Sequence, residues 1–278
     1  MLATDSDLPV PEGAEKRAYV RHIFGAIAPR YDFLNHLLSL NVDRRWRRIA
    51  VDQLGWEARP DGQYLDLCAG TLDLAADLGN RRGFRGRVIG ADFVQPMLQR
   101  GKGKSAAVVP VAADALTLPF ADRSFDGATT GFGVRNLVDL EAGLDETARV
   151  LKPGARLVIL ELAKPRWQPF KALYFFYFRQ MLPLVGRLVS KHRSAYTYLP
   201  ESVLRFPGRA GPDHESRRFC GGPVPAPFGG ICAIHVGTRP DGLSVRFYPW
   251  PSTTGTPPSP RSSGLASWCG SSADQDRA

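Results

Sequence analysis

The 278 residues include only four cysteines, Cys68, Cys220, Cys232 and Cys269, with no CxxC pair and no spacing typical of a secreted disulfide scaffold. That usage points to a reducing cytoplasm and implies no structural metal. No uninterrupted apolar run approaches the ~20 residues that a bilayer-spanning helix needs. The opening stretch, MLATDSDLPVPEGAEKR, lacks the charged-then-apolar order of a signal peptide. No internal repeat is present either. The expectation is a soluble cytoplasmic protein, or one bound peripherally at the inner face of the cytoplasmic membrane.

What is there suffices for a globular body. Apolar residues make up 44% of the chain, and its length favours one α/β domain with decoration. The net charge of +9 is unevenly placed: residues 165–209 hold eight Lys/Arg against one acid, Glu201. Nucleic acid, an anionic membrane, an acidic ligand or plain solvation could each account for that patch. Residues 1–14 read as a disordered N-terminus, and 240–278, rich in Pro, Ser, Gly and Thr, as a disordered tail.

Between these ends, residues 15–239 read as one domain. Over 15–54 the period is helical. Val20, Ile23, Phe24 and Ile27 make one apolar stripe, Phe33, Leu34, Leu37 and Leu38 a second, with Pro29 interrupting. A short helix, DRRWRRIAVDQL, follows. Strands are then expected at 64–68, 87–92, 108–112, 125–131 and 155–162, with helices at 72–79, 94–101 and 139–150. Such alternation indicates a doubly wound, mostly parallel sheet. Lys152-Pro153-Gly154 reads as a helix stop, and ICAIHVG as one more strand.

The most informative stretch is YLDLCAGTLD, residues 64–73. A buried strand runs into a turn of small residues, Ala69, Gly70 and Thr71, which lets backbone N–H groups approach a nucleotide-like ligand. Asp92 follows Gly70 by 22 positions at the end of the apolar strand RVIGAD. That spacing suits a carboxylate accepting hydrogen bonds from ribose hydroxyls.

Several stretches together resemble the class I S-adenosylmethionine (SAM) methyltransferases, and more narrowly the ubiquinone/menaquinone C-methyltransferases (UbiE/MenG). They are FGAIAPRYDFLNHLLSL, YLDLCAGTLDLA, LPFADRSFDGATTGFGVRNL, RVLKPGARLVILEL, LPLVGRLVS, SAYTYLPES and GGICAIHVGT. The resemblance implies a Rossmann-like, seven-stranded sheet and SAM as methyl donor, with no metal. It places Gly70 and Thr71 beside the methionine part of SAM, Asp92 on the ribose, and Asp114 and Ala115 on the adenine. Asp66 and Gly131 complete the implied cofactor set. A helix N-cap is the competing role for Asp114.

The implied reaction is methyl transfer to a ring carbon of a prenylated hydroquinone, either a demethylmenaquinol or a polyprenyl-methoxy-benzoquinol. Arg135 could then stabilise the oxyanion, Asn136 hold an oxygen, and Tyr31 cover the site. Pairing of Arg135 with a carboxylate and ordinary packing of Tyr31 remain open as alternatives. Residues 15–60 become a helical cap over the site. Residues 165–209 become a basic aromatic insertion for which an anionic membrane, a homodimer interface or simple core each remain open, and no nucleic-acid partner is expected.

Two departures stand out. Where the family has Gly-Thr-Gly, this chain has Gly70-Thr71-Leu72; Leu adds bulk and prefers φ below zero, so reduced SAM affinity is expected. Between Arg209 and Gly230 the family would supply a helix, an Ala-Gly-Phe turn and the sixth strand, yet AGPDHESRRFCGGPVPAPFGG has no period. With permitted codons, the frame one base later can read GLDQIMSRAGFAGVRYRPLSG, which restores that order. A frameshifted segment and a disrupted sixth strand are therefore expected, and the nucleotide sequence decides the matter. The rival functions are a damaged SAM-binding pseudoenzyme, a basic membrane- or RNA-binding module, and a dehydrogenase. The missing later glycines of the dinucleotide fingerprint argue against the last.

Overall fold

The computed structural model describes residues 13–163, 220–224 and 231–240. The expectations for residues 1–12, for all of 165–209, for most of 209–230 and for 241–278 lie outside the described residues.

Three helices come first. α1 (Gly13–Ile27) begins two residues before the expected boundary, and Pro29 falls in a 3-10 turn, Ala28–Arg30, that leads into α2 (Tyr31–Leu38). Next is α3 (Val42–Gln53). Of the two expected apolar stripes, Val20 and Ile23 are buried, whereas Phe33 and Leu37 are exposed. Periodicity finds an apolar face without saying what covers it.

The α/β alternation follows: β1 (Gln63–Leu67), α4 (Asp73–Gly79), β2 (Arg87–Asp92), α5 (Gln95–Gly101), β3 (Val108–Ala112), β4 (Phe125–Gly131), α6 (Leu140–Val150) and β5 (Leu151–Leu162). The sheet is completed by β6 (Cys220–Val224) and β7 (Cys232–Thr238) in the order β3-β2-β1-β4-β5-β7-β6. All pairs from β3 to β5 are parallel, while β7 runs antiparallel to both β5 and β6. The seven-stranded, mostly parallel sheet is as expected. The sixth strand, expected to be disrupted, is present. Its position explains how CGGPV is tolerated, because among the described residues Pro223 sits on an edge strand paired on one side only.

Residues 152–154 behave differently from a simple helix stop. α6 ends at Val150, and β5 starts at once, Leu151 pairing with Phe125 before the register shifts to Arg156 opposite Gly127. Gly154 takes φ 75°, a left-handed value that suits glycine. Alternate side chains serve opposite faces of the sheet. Leu65, Leu67, Phe125 and Leu157 pack with Leu144 and Ala148 of α6, while Tyr64, Val158 and Leu160 pack with Trp46, Val51, Leu74 and Leu78 from α3 and α4. A smaller cluster of Ala28, Val94 and Met97 seats the first helices on α5, with Phe24 and Tyr31 edge to face at 5.9 Å. Among the described residues no helix is long and apolar enough to cross a membrane.

Candidate active site

The turn after β1 is built from left-handed backbone. Cys68, Gly70 and Leu72 have φ of 53°, 52° and 64°. The Leu72 N–H closes the turn on the Ala69 carbonyl at 2.8 Å, and Ala69 N–H bonds Ala91 O at 3.1 Å. Asp92, at the end of β2, fixes the turn from the side: one carboxylate oxygen accepts from Gly70 N–H at 2.8 Å, the other from Val94 N–H at 2.7 Å. Burial pushes the Asp92 carboxyl above its ordinary pKa, and those two hydrogen bonds work against the shift.

Leu72 does not crowd the ligand side of this turn, contrary to expectation. It is 1% exposed, and a Cβ on Gly90 would lie 2.3 Å from its Cδ2 and one on Gly101 2.7 Å from its Cγ. Its side chain occupies the space those two glycines leave, under the turn and away from both clefts described next.

Two small, open clefts lie beside the turn, and both are lined by Cys68. The first is lined by Asp92, Phe93, Asp114, Ala115 and Asn136, with Arg17 from α1. The second is lined by Tyr31, Asp66, Gly70, Thr71 and Gly131, together with Arg47. Asp92, Asp114 and Ala115 thus share one cleft; Asp66, Gly70, Thr71 and Gly131 share the other with Tyr31. Asn136, expected on the acceptor side, lies in the first cleft, and Arg135 lines neither.

Several charges bind the early helices to these clefts. Asp114 accepts from Leu116 N–H at 3.0 Å within a turn that no helix follows, which removes the helix N-cap role, and its other oxygen pairs with Arg17. Lys16 donates to the carbonyls of Leu137 at 2.6 Å and Arg135 at 3.2 Å, on either side of Asn136. The Thr71 hydroxyl donates to Asp32 at 2.5 Å, and Lys104 bridges Asp32 and Asp73 at 2.6 and 2.5 Å. Arg47 pairs with Asp43 at 2.6 Å and reaches Asp73 at 3.3 Å. Spacing alone could not reveal these partners.

Arg135 is buried against a carboxylate. Its Nη1 pairs with Glu161 at 2.5 Å and donates to Phe132 O at 2.6 Å. Arg135 Nε, Glu161 Oε2 and Thr130 Oγ1 are buried with no hydrogen-bond partner among the described residues. Glu161 escaped notice in the sequence, although a lone acid inside the apolar run VILEL was a usable signal. Burial raises the Tyr31 phenol, partly offset by a hydrogen bond with Asn35 and by the charges of Arg135 and Arg47. Asp66 is pushed up to about 7, chiefly by burial; Thr129 and the Ala75 N–H, each at 3.0 Å, oppose the shift. Burial, then the surrounding carboxylates, push the Cys68 thiol well above its ordinary pKa, which disfavours the thiolate.

The residues fit SAM as a ligand. Asp92 retains acceptor capacity at the wall of the first cleft, Asp114 and Ala115 lie on the same wall, and the small-residue turn leaves room in the second.

Comparison with known proteins agrees. A model of the ubiE/COQ5 methyltransferase family matches residues 12–239. A ubiquinone/menaquinone biosynthesis C-methyltransferase UbiE of Geotalea daltonii is 46% identical over 201 residues, spanning 70% of this chain and 84% of that protein. A demethylmenaquinone methyltransferase of Thermus thermophilus is 45% identical over 226 residues, spanning 78% of this chain and all of its own length (100%). Among solved structures, the cyclase SpnF superposes with a TM-score of 0.56 at 14% identity, covering 84% of this chain and 100% of that one. That last likeness carries the fold and not the reaction.

Proposed function

Because the chain belongs to the ubiE/COQ5 methyltransferase family, we propose that it methylates a ring carbon of a prenylated hydroquinone in quinone biosynthesis, with SAM as donor. The observation that carries this reading is the pair of clefts meeting at Cys68, one walled by Asp92 and Asp114 and the other by the Gly70–Thr71 turn and Tyr31. Bound SAM supplies an electrophilic sulfonium methyl. The chain's residues do the rest. Asp92 takes the ribose hydroxyls while holding the turn, Asp114 and Ala115 take the adenine edge, and Thr71 and Gly70 flank the methionine portion.

The acceptor half falls to the second cleft. An ionised hydroquinone is electron-rich at the adjacent ring carbon, so that carbon attacks the methyl in line as the S–CH3 bond breaks, and the ring proton then leaves to water to restore the aromatic ring, with no covalent enzyme intermediate. Catalysis then rests on alignment and on stabilising the phenolate. Arg47 lines this cleft beside Tyr31, with its guanidinium shared between Asp43 and Asp73. Arg135, held by Glu161 behind Phe132, adds a second cation whose influence reaches Tyr31.

The test is calorimetric titration of SAM into the purified protein, followed by transfer of labelled methyl to reduced short-chain naphthoquinones and benzoquinones. Asp92→Ala should weaken SAM binding by roughly 1–3 kcal/mol. An unchanged dissociation constant would remove Asp92 from the site, and binding without transfer to any hydroquinone would overturn the acceptor assignment.

A further inference from the structure

Phe33, Leu37 and Leu40 are 59%, 42% and 80% exposed, three large apolar side chains within eight residues. Their spacing of four and three puts them on one face of α2, continued into the turn that follows it. Tyr31 and Asn35 fall on the opposite face, where Tyr31 lines the second cleft. Among the described residues, one short helix therefore presents the site on one side and an exposed apolar surface on the other.

The turn reinforces this arrangement. Leu40 and Asn41 are consecutive left-handed residues, with φ of 53° and 61°. Leu72 shares that strained conformation but recovers it by complete burial; Leu40 is strained and fully displayed. Basic side chains flank the patch. Arg30 immediately precedes α2, and Arg44 and Arg45 occupy the first turn of α3, all three exposed. The two acids of this stretch are engaged elsewhere: Asp32 with Thr71 and Lys104, Asp43 with Arg47, His36 and Ser39.

We propose that the outer face of α2 is a bilayer-contact surface. Phe33, Leu37 and Leu40 enter the acyl boundary while the arginines meet anionic headgroups, so that an acceptor with an apolar tail reaches the second cleft from the membrane side. The last clause rests on the quinone reading above; the contact surface does not.

Partition of the full chain into vesicles of phosphatidylglycerol and phosphatidylcholine in equal parts, with phosphatidylcholine vesicles as control, tests the surface. The double variant Phe33→Ser/Leu40→Ser should lower the partition coefficient at least ~10-fold, since the loss of each large apolar group weakens insertion. Arg44→Gln/Arg45→Gln should remove the preference for the anionic vesicles. SAM affinity and turnover of a soluble short-chain hydroquinone should be unchanged in both, with the loss confined to a long-tailed acceptor carried in vesicles. Parent-like partition of the serine variant overturns the proposal, as does a parent that ignores anionic vesicles. A serine variant that alters sedimentation velocity but not partition overturns it in favour of a second copy of the chain. If the parent methylates no hydroquinone at all, the quinone reading fails while the vesicle result still decides the surface.

Discussion

Replacing Leu72 by glycine separates two effects that the sequence could not. The left-handed conformation of Leu72 is unfavourable by about 1–2 kcal/mol, and glycine removes that strain. The same change deletes a side chain that is 1% exposed and fitted over Gly90 and Gly101. Emptying such a site costs about 2–5 kcal/mol. At the middle of both ranges packing wins, and Leu72→Gly should be less stable than the parent by about 2 kcal/mol. Leu72→Ala loses the packing and keeps the strain, so it should fall about 1 kcal/mol below the glycine variant. Urea unfolding followed by the fluorescence of buried Trp46 and Trp56 would read the order parent, glycine, alanine. SAM affinity should stay within about threefold, because Leu72 lines neither cleft.

A second-site variant sharpens the test. Gly90→Ala alone drives its new methyl against Leu72, whereas in the Leu72→Gly background that methyl enters vacated space, so the two changes should be non-additive by about 1 kcal/mol or more. A glycine variant as stable as the parent, or one that binds SAM tenfold more tightly, would refute the reasoning.

Arg135→Ala strands Glu161 as an unpaired buried charge and should lower stability by about 3–5 kcal/mol, of which Glu161→Gln in the same chain should recover a measurable part. Turnover on a reduced quinone should stay ~100-fold down in both, and if it returned together with stability, Arg135 would be an ion-pair member only. Asp66 sets a pH dependence. Its folded pKa of about 7 exceeds its ordinary value of 3.8, so its contribution is fully present below about pH 4 and is lost as pH rises through about 7. Unfolding measured at pH 5 and pH 8 should show the parent losing about 2–3 kcal/mol more than Asp66→Asn over that window. Parallel behaviour of the two proteins would mean that Asp66 is ionised in the fold.

The alternation from Gln63 to Leu162 was legible because strands buried on both faces read as apolar runs, and the Gly70-to-Asp92 spacing follows from one strand–helix–strand unit. What stayed hidden was tertiary. The exposure of Phe33 and Leu37 depends on which face of α2 the rest of the molecule covers, and helical period is silent on that. The sixth strand escaped because CGGPV has poor strand propensity, and its edge position excuses the composition. Asp32 meets Lys104 across 72 residues, and Arg135 meets Glu161 across 26, pairings that no local window contains. Even the strand start at Leu151 was hidden, because Gly154 lets the chain bend within the strand where a break was read.

The place of β7 has a consequence for biosynthesis. The strand lies between β5 and β6, pairing Cys232 to Thr238 against Leu162 to Arg156. While the ribosome adds the residues from 162 to 238, about 4–15 s at ordinary elongation rates, β5 is an unpaired edge that carries Leu157, Val158 and Leu160. A nascent chain that pairs β5 with β4 before residue 238 is made carries a bare strand margin until β7 seals it, and slower translation lengthens that interval.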